Sequence, residues 1–121
     1  MATDPRLYLI HIQEAAQRIH AYTNGHKETF LNQIMVQDAV YRNLQTLCES
    51  AHRLPEPLKQ RHQHIPWTDI KDFRNLLVHD YLGSISPAQV WDVIVNHLSV
   101  LEDAVREELA AIDRRSSNDE A

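Results

Sequence analysis

Apolar residues recur at steps of three and four through four stretches of the chain, the spacing of helices that each bury one face. Tyr8, Ile12, Ala15, Ala16, Ile19 and Tyr22 form the first stripe. Asp4 before Pro5 is a helix-start signal, and Asn24-Gly25 supplies the left-handed residue that ends the helix. Val36, Val40, Leu44, Leu47, Ala51 and Leu54 form the second stripe, on a helix starting near 27 or 32 and ending at 53. The pattern leaves Phe30-Leu31 open between this helix and a separate turn. Pro55 and Pro57 break the chain, so 55–66 reads as a connector with room for one helical turn at 58–62.

Pro66 opens the third helix, which carries Trp67, Ile70, Phe73, Leu77 and Tyr81, and Gly83 ends that region. Ser86-Pro87-Ala88-Gln89 is the clearest start signal, with an N-cap serine, a first-position proline and a glutamine able to close a capping box. Val90, Ile94, His97, Leu101, Ala104 and Leu109 line the inner face of this fourth helix, which is expected to run to about Arg115. The prediction is an all-α, antiparallel four-helix bundle with short extra turns. One domain spans 1–115, and 116–121 forms a flexible, frayed acidic tail.

Composition narrows the class. A chain of 121 residues with 43% hydrophobic content can bury one core and is not a disordered segment. Two glycines are too few for a strand-and-turn fold. The single cysteine, Cys48, allows no intrachain disulfide and fits a reducing compartment. The first residues lack a signal-peptide layout, and charges interrupt every apolar stretch, so a cytoplasmic protein that does not enter the membrane is expected. The net charge of −5 argues against a general nucleic-acid coating protein, while leaving room for one small RNA-contacting site. Acids gather from Glu102 onward, whereas 52–81 is near neutral and rich in histidine.

The third helix carries the unusual chemistry. At about 100° per residue, Arg74 falls in the middle of an arc formed by Trp67, Ile70, Val78 and Tyr81. A guanidinium among apolar groups is costly unless an anion meets it. Asn75 and His79, four apart, share the next face. Arg74 and His79 are splayed by about 140° on an ideal helix. They converge only around a bound group, through a distorted turn or across a subunit interface. A plainer alternative pairs Arg74 with a carboxylate such as Glu49 and leaves His79 a partly buried structural residue.

Other candidates have plainer readings. His62-Gln63-His64, with His52 nearby, lacks a carboxylate or thiolate partner at ligand spacing and reads as exposed connector histidines rather than a metal site. His97 reads as a core histidine, His11 and His20 as surface residues, and Cys48 as a small core residue. Trp67 and Trp91 read as packing rather than base-stacking groups. Arg53, Lys59 and Arg61 form a basic connector able to guide RNA.

Arg74-x4-His79-Asp80-Tyr81 resembles the Arg-x4-His-x-Tyr motif of the HEPN superfamily, and of its HepT-like toxins in particular. Ile65-Pro66-Trp67 before it, Val90-Trp91 after it, and Asp38-Ala39-Val40 with Asn43-Leu44 also look like that family. The likeness covers roughly residues 7–109. It departs at Cys48-Glu49-Ser50-Ala51, where the family more often has Gly-Glu-Ala. The resemblance implies a metal-independent endoribonuclease toxin, acting on tRNA or mRNA without a cofactor. It also implies a homodimer with active residues near the dimer cleft, partnered by an MntA-type nucleotidyltransferase antitoxin that silences the toxin by AMP transfer to the motif tyrosine. Carried over, Arg74 and His79 are catalytic, Asn75 supports them, and Tyr81 is the AMP acceptor.

The chemistry is coherent, because RNA supplies its own 2′-OH nucleophile, an imidazole can move its proton, and a guanidinium can hold the charge that develops on phosphorus. Two other functions fit the same residues: a non-catalytic nucleotide- or phosphate-binding partner subunit of a nucleotidyltransferase, and a helical interaction module with a degenerate site.

Overall fold

Asp4 starts the first helix as expected: its carboxylate accepts from the backbone N–H of Arg6 at 3.0 Å, with Pro5 in the first helical position. The computed structural model describes residues 4–79 and 85–120, and among these the chain is helix and turn without strand. The helices are α1 (Pro5–Thr23), α2 (Lys27–Asn32), α3 (Ile34–His52), α4 (Glu56–Arg61), α5 (Trp67–His79), α6 (Pro87–Asn96) and α7 (Leu98–Glu120). Asn24 (φ 50°) and Gly25 (φ 71°) end α1 in the left-handed region.

Helix α1 buries Leu9, Ile12, Ala15, Ala16 and Ile19, and it packs on α3 and α7. Helix α3 buries Val40, Leu44, Leu47, Cys48 and Ala51, and packs on α1 and α5. Full burial of each Leu, Ile or Phe contributes about 1.5–3 kcal/mol, so these shared stripes dominate the stability of the fold. Phe30-Leu31 belongs to a separate helix, because Gln33 is extended (φ −121°, ψ 108°) and divides α2 from α3. Gln37 Nε2 donates to the carbonyls of Phe30 and Leu31, at 3.0 and 3.1 Å, and so satisfies groups that the broken helix leaves unpaired. Phe30 is fully buried and stacks on Trp91, with ring centroids 5.8 Å apart.

The capping box at Ser86 and Gln89 is present. The long helix expected beyond it is instead two helices that break at His97 (φ −120°, ψ −28°). His97 is exposed rather than part of the core. The buried series runs Val90, Ile94, Leu98, Leu101, Val105, Glu108, and position 97 falls beside it rather than on it. Helix α7 continues to Glu120, past the expected end near Arg115, and 116–118 are helical and exposed. No proline or glycine interrupts that stretch.

The connector differs most from expectation. His62 is buried, not solvent-exposed, and its Nε2 lies 2.7 Å from Glu108 Oε2. Arg61 completes the contact with a two-pronged grip: Nη2 on Oε1 at 2.8 Å and Nε on Oε2 at 3.2 Å. Glu108 is thus a buried carboxylate with both oxygens occupied, and it fastens the connector to α7. The Arg61 hydrogen bonds hold its carboxyl below the usual carboxylate range; burial opposes them and His62 assists them. Trp67 caps the same turn by donating to the carbonyls of His62 and Lys59. Among the described residues no helix is long and apolar enough to cross a membrane.

Candidate active site on helix α5

Helix α5 runs antiparallel to α3. Gln45 lies opposite Leu77, Glu49 opposite Arg74, and His52 with Lys71 at the far end. The core side of α5 is made by Leu77, which is buried, and by half-buried Trp67, Ile70 and Phe73. Arg74 lies about 60° round the helix from Leu77. It therefore sits at the rim of the buried face, not in the middle of it, and its side chain is 37% exposed. This rim position corrects the expected apolar surroundings and removes most of the desolvation cost of the guanidinium.

Among the described residues, two groups steady Arg74. Its Nη1 donates to Asn75 Oδ1 at 3.1 Å. Its Nη2 lies 4.0 Å from Glu49 Oε2, the outer limit of an ion pair. Glu49 is closer to Arg53, with Oε1 3.3 Å from Nη2, and its side chain is half exposed. The plain Arg74–Glu49 alternative is therefore present only as a loose contact. An exposed pair at that distance contributes about 0–1 kcal/mol, so the contact leaves the guanidinium available to a stronger anion.

Glu49, His52, Arg53, Lys71, Arg74 and Asn75 line one cleft of about 380 Å³ between α3 and α5. His79, the last residue of α5, is exposed and stands five residues on, about 7.5 Å further along the axis. The structure thus gathers Arg74 and Asn75 in one cleft and sets His79 apart from them. Tyr81 and Asp80 lie outside the described residues. The end of α5 is held from α3, where Gln45 Nε2 donates to the Leu77 carbonyl at 3.3 Å, two residues before His79. Burial first, then Lys59, Lys71, Arg74 and Arg53, hold His52 below the ordinary imidazole range.

Cys48 is buried beside this site, and burial pushes its thiol up to about 12 against the pull of Arg74. It is a small core residue, as expected. Among the described residues no cluster of His, Cys, Asp and Glu is arranged to hold a metal ion. Lys71, His52 and Gln45 are members of this neighbourhood that the motif does not include. Lys71 stands three before Arg74, a helical-neighbour spacing visible in sequence. His52 and Gln45 depend on how α3 and α5 pair.

The Ribonuclease HepT-like family model matches residues 12–108. A protein of Caldanaerobacter subterraneus subsp. tengcongensis named "Putative RNase" is 29% identical over 85% of this chain and 92% of its own length. "Probable ribonuclease HepT" of Thermococcus cleftensis is 30% identical over 78% of this chain and 86% of its own. A longer protein of Methanocaldococcus jannaschii, named "Gamma-glutamylcyclotransferase and putative RNase", is 28% identical over 98% of this chain, which spans only 53% of that relative. No solved structure matches. The family match covers most of the chain and includes α3, α5 and the cleft between them, and the chain belongs to the HepT-like ribonuclease family.

Proposed function

We propose that this protein is a metal-independent endoribonuclease of the HEPN type, built as an antiparallel four-helix bundle and acting as the toxin of a toxin–antitoxin pair. The observation that carries the reading is Arg74, held by Asn75 at the rim of the α3–α5 cleft with, among the described residues, only a loose carboxylate neighbour. Such a guanidinium can change partners to a phosphate when one arrives. In a chain of the HepT-like family, that phosphate is an RNA phosphodiester.

His79 takes the proton from the 2′-OH as that oxygen attacks phosphorus, and the 5′-oxygen of the next nucleotide leaves with a proton returned to it. Arg74 holds the charge that accumulates on the non-bridging oxygens. Asn75 keeps the guanidinium fork facing the cleft. Since Arg74 and His79 point apart on one helix, the protein acts as a homodimer in which a second copy completes the site. The exposure of Leu76, a large apolar residue about 60° round α5 from His79, supports this, because a subunit interface would cover it. Tyr81 is the acceptor of an AMP group transferred by an MntA-type nucleotidyltransferase antitoxin. The added charge and bulk would turn RNA away.

Incubating the purified protein with RNA in chelator, beside Arg74→Ala and His79→Ala, tests the reading. Cleavage by the wild type alone supports it. RNA or nucleotide binding without cleavage supports instead the non-catalytic partner-subunit reading.

A further inference from the structure

The cleft between α3 and α5 is more basic than catalysis at one phosphate requires. It holds three fixed cations, Arg53, Lys71 and Arg74, against one carboxylate, Glu49, in a protein whose net charge is −5. Glu49 lies between the two arginines, 3.3 Å from Arg53 and 4.0 Å from Arg74, and neutralises only part of their charge. Lys71 is exposed and has no carboxylate within ion-pair distance among the described residues. Resting on the ribonuclease reading, we propose that His52, Arg53 and Lys71 form a second phosphate subsite. It holds an RNA phosphodiester that flanks the one engaged by Arg74.

Several features fix the extent of this subsite. Lys59 Nζ donates to the His52 carbonyl at 2.8 Å and brings a fourth cation to the edge of the cleft. The adjoining depression, which shares His52 and Lys71, also contains Glu56 and Asp69, so the positive surface ends there. On the other side, a depression sharing Glu49 and Arg53 continues past His11, Arg42 and Thr46 without another carboxylate. The path therefore runs along the outer face of α3 and is closed at the α4 end. Arg61, a cation of the basic connector, plays no part, because Glu108 holds it with two hydrogen bonds. A shallow groove of fixed cations suits the backbone of a single strand, which it engages without reading base identity.

The test is binding of a fluorescent, fully 2′-O-methylated single-stranded RNA, which lacks the nucleophile and cannot be cleaved by this route. Titrations across a salt series compare the wild type with Lys71→Ala, Arg53→Ala and Lys71→Arg, using Arg18→Ala on α1 as an exposed-cation control. Lys71→Ala and Arg53→Ala are each expected to weaken binding by roughly tenfold at low salt. Each should also flatten the slope of log affinity against log salt by about 0.7. Lys71→Arg should retain most of the affinity, and Arg18→Ala all of it. Equal affinity and slope for Lys71→Ala and wild type would overturn the subsite, as would an equal loss in Arg18→Ala or no binding by the wild type. Because the probe is uncleavable, failure of the ribonuclease reading registers separately, as intact natural RNA in a parallel reaction. Helix content and melting temperature of each variant separate lost binding from lost fold.

Discussion

Arg74 donates to the side-chain oxygen of its own neighbour, Asn75, at 3.1 Å, while the carboxylate of Glu49 stands off at 4.0 Å. A neutral amide partner steadies a guanidinium without neutralising it. Asn75→Ala should therefore lower the rate of the cleavage step by roughly tenfold, less than the loss from Arg74→Ala. Single-turnover kinetics at saturating RNA measure this. A reduction confined to RNA affinity, with the step itself unchanged, would show that Asn75 does not position Arg74. Arg74→Lys should not rescue, since a single ammonium cannot reproduce the planar fork.

Gln45 reaches across from α3 to the Leu77 carbonyl and ties down the last turn of α5, where His79 stands. Gln45→Ala should lower kcat severalfold with little change in KM, because the imidazole would be less well placed while the α3–α5 cleft is retained. Amide exchange over 77–79 should rise in the same variant. Unchanged exchange would rule out this tether.

Glu108 supplies a pH dependence with a definite sign. Its pKa is lower in the fold than in the unfolded chain, chiefly through Arg61, so the unfolded state binds protons more readily as pH falls. The stabilisation is complete above the ordinary carboxylate pKa and is lost as pH drops through the depressed folded value. Glu108→Ala should cost about 1–3 kcal/mol at neutral pH, because buried His62 loses its 2.7 Å partner. The gap between wild type and variant should close in acid. Urea unfolding at several pH values measures it, and a constant gap from pH 7 to pH 3 would contradict the assignment.

Cys48 should resist thiol reagents in the native protein, since it is buried and its thiol is pushed up to about 12. Labelling should appear only with unfolding in denaturant. Stoichiometric native labelling would show that α3 opens at this point.

The pattern of the chain revealed what depends on neighbouring residues. The Asp4-Pro5 start, the left-handed Asn24-Gly25 end, the Ser86 capping box and the buried stripes of α1 and α3 follow from local spacing. The break at His97 was hidden because position 97 fits a single continuous helix as well as position 98 does. The packing of α7 against the rest of the core selects the stripe through Leu98 and Val105. The burial of His62 was equally hidden, since its partner Glu108 stands 46 residues away and resembles the solvated acids around it. At the site, the motif pointed to Arg74 and His79. It could not show that Arg74 sits at a rim, or that His52 shares its cleft, because both follow from the pairing of α3 with α5.

Cleavage of RNA in the presence of chelator tests the central claim most directly, with the wild type set beside Arg74→Ala and His79→Ala at matched helix content. The account predicts cleavage by the wild type, a loss of about 10²–10³ in rate for Arg74→Ala and of about 10²–10⁴ for His79→Ala. Cleavage by either variant at the wild-type rate would contradict it.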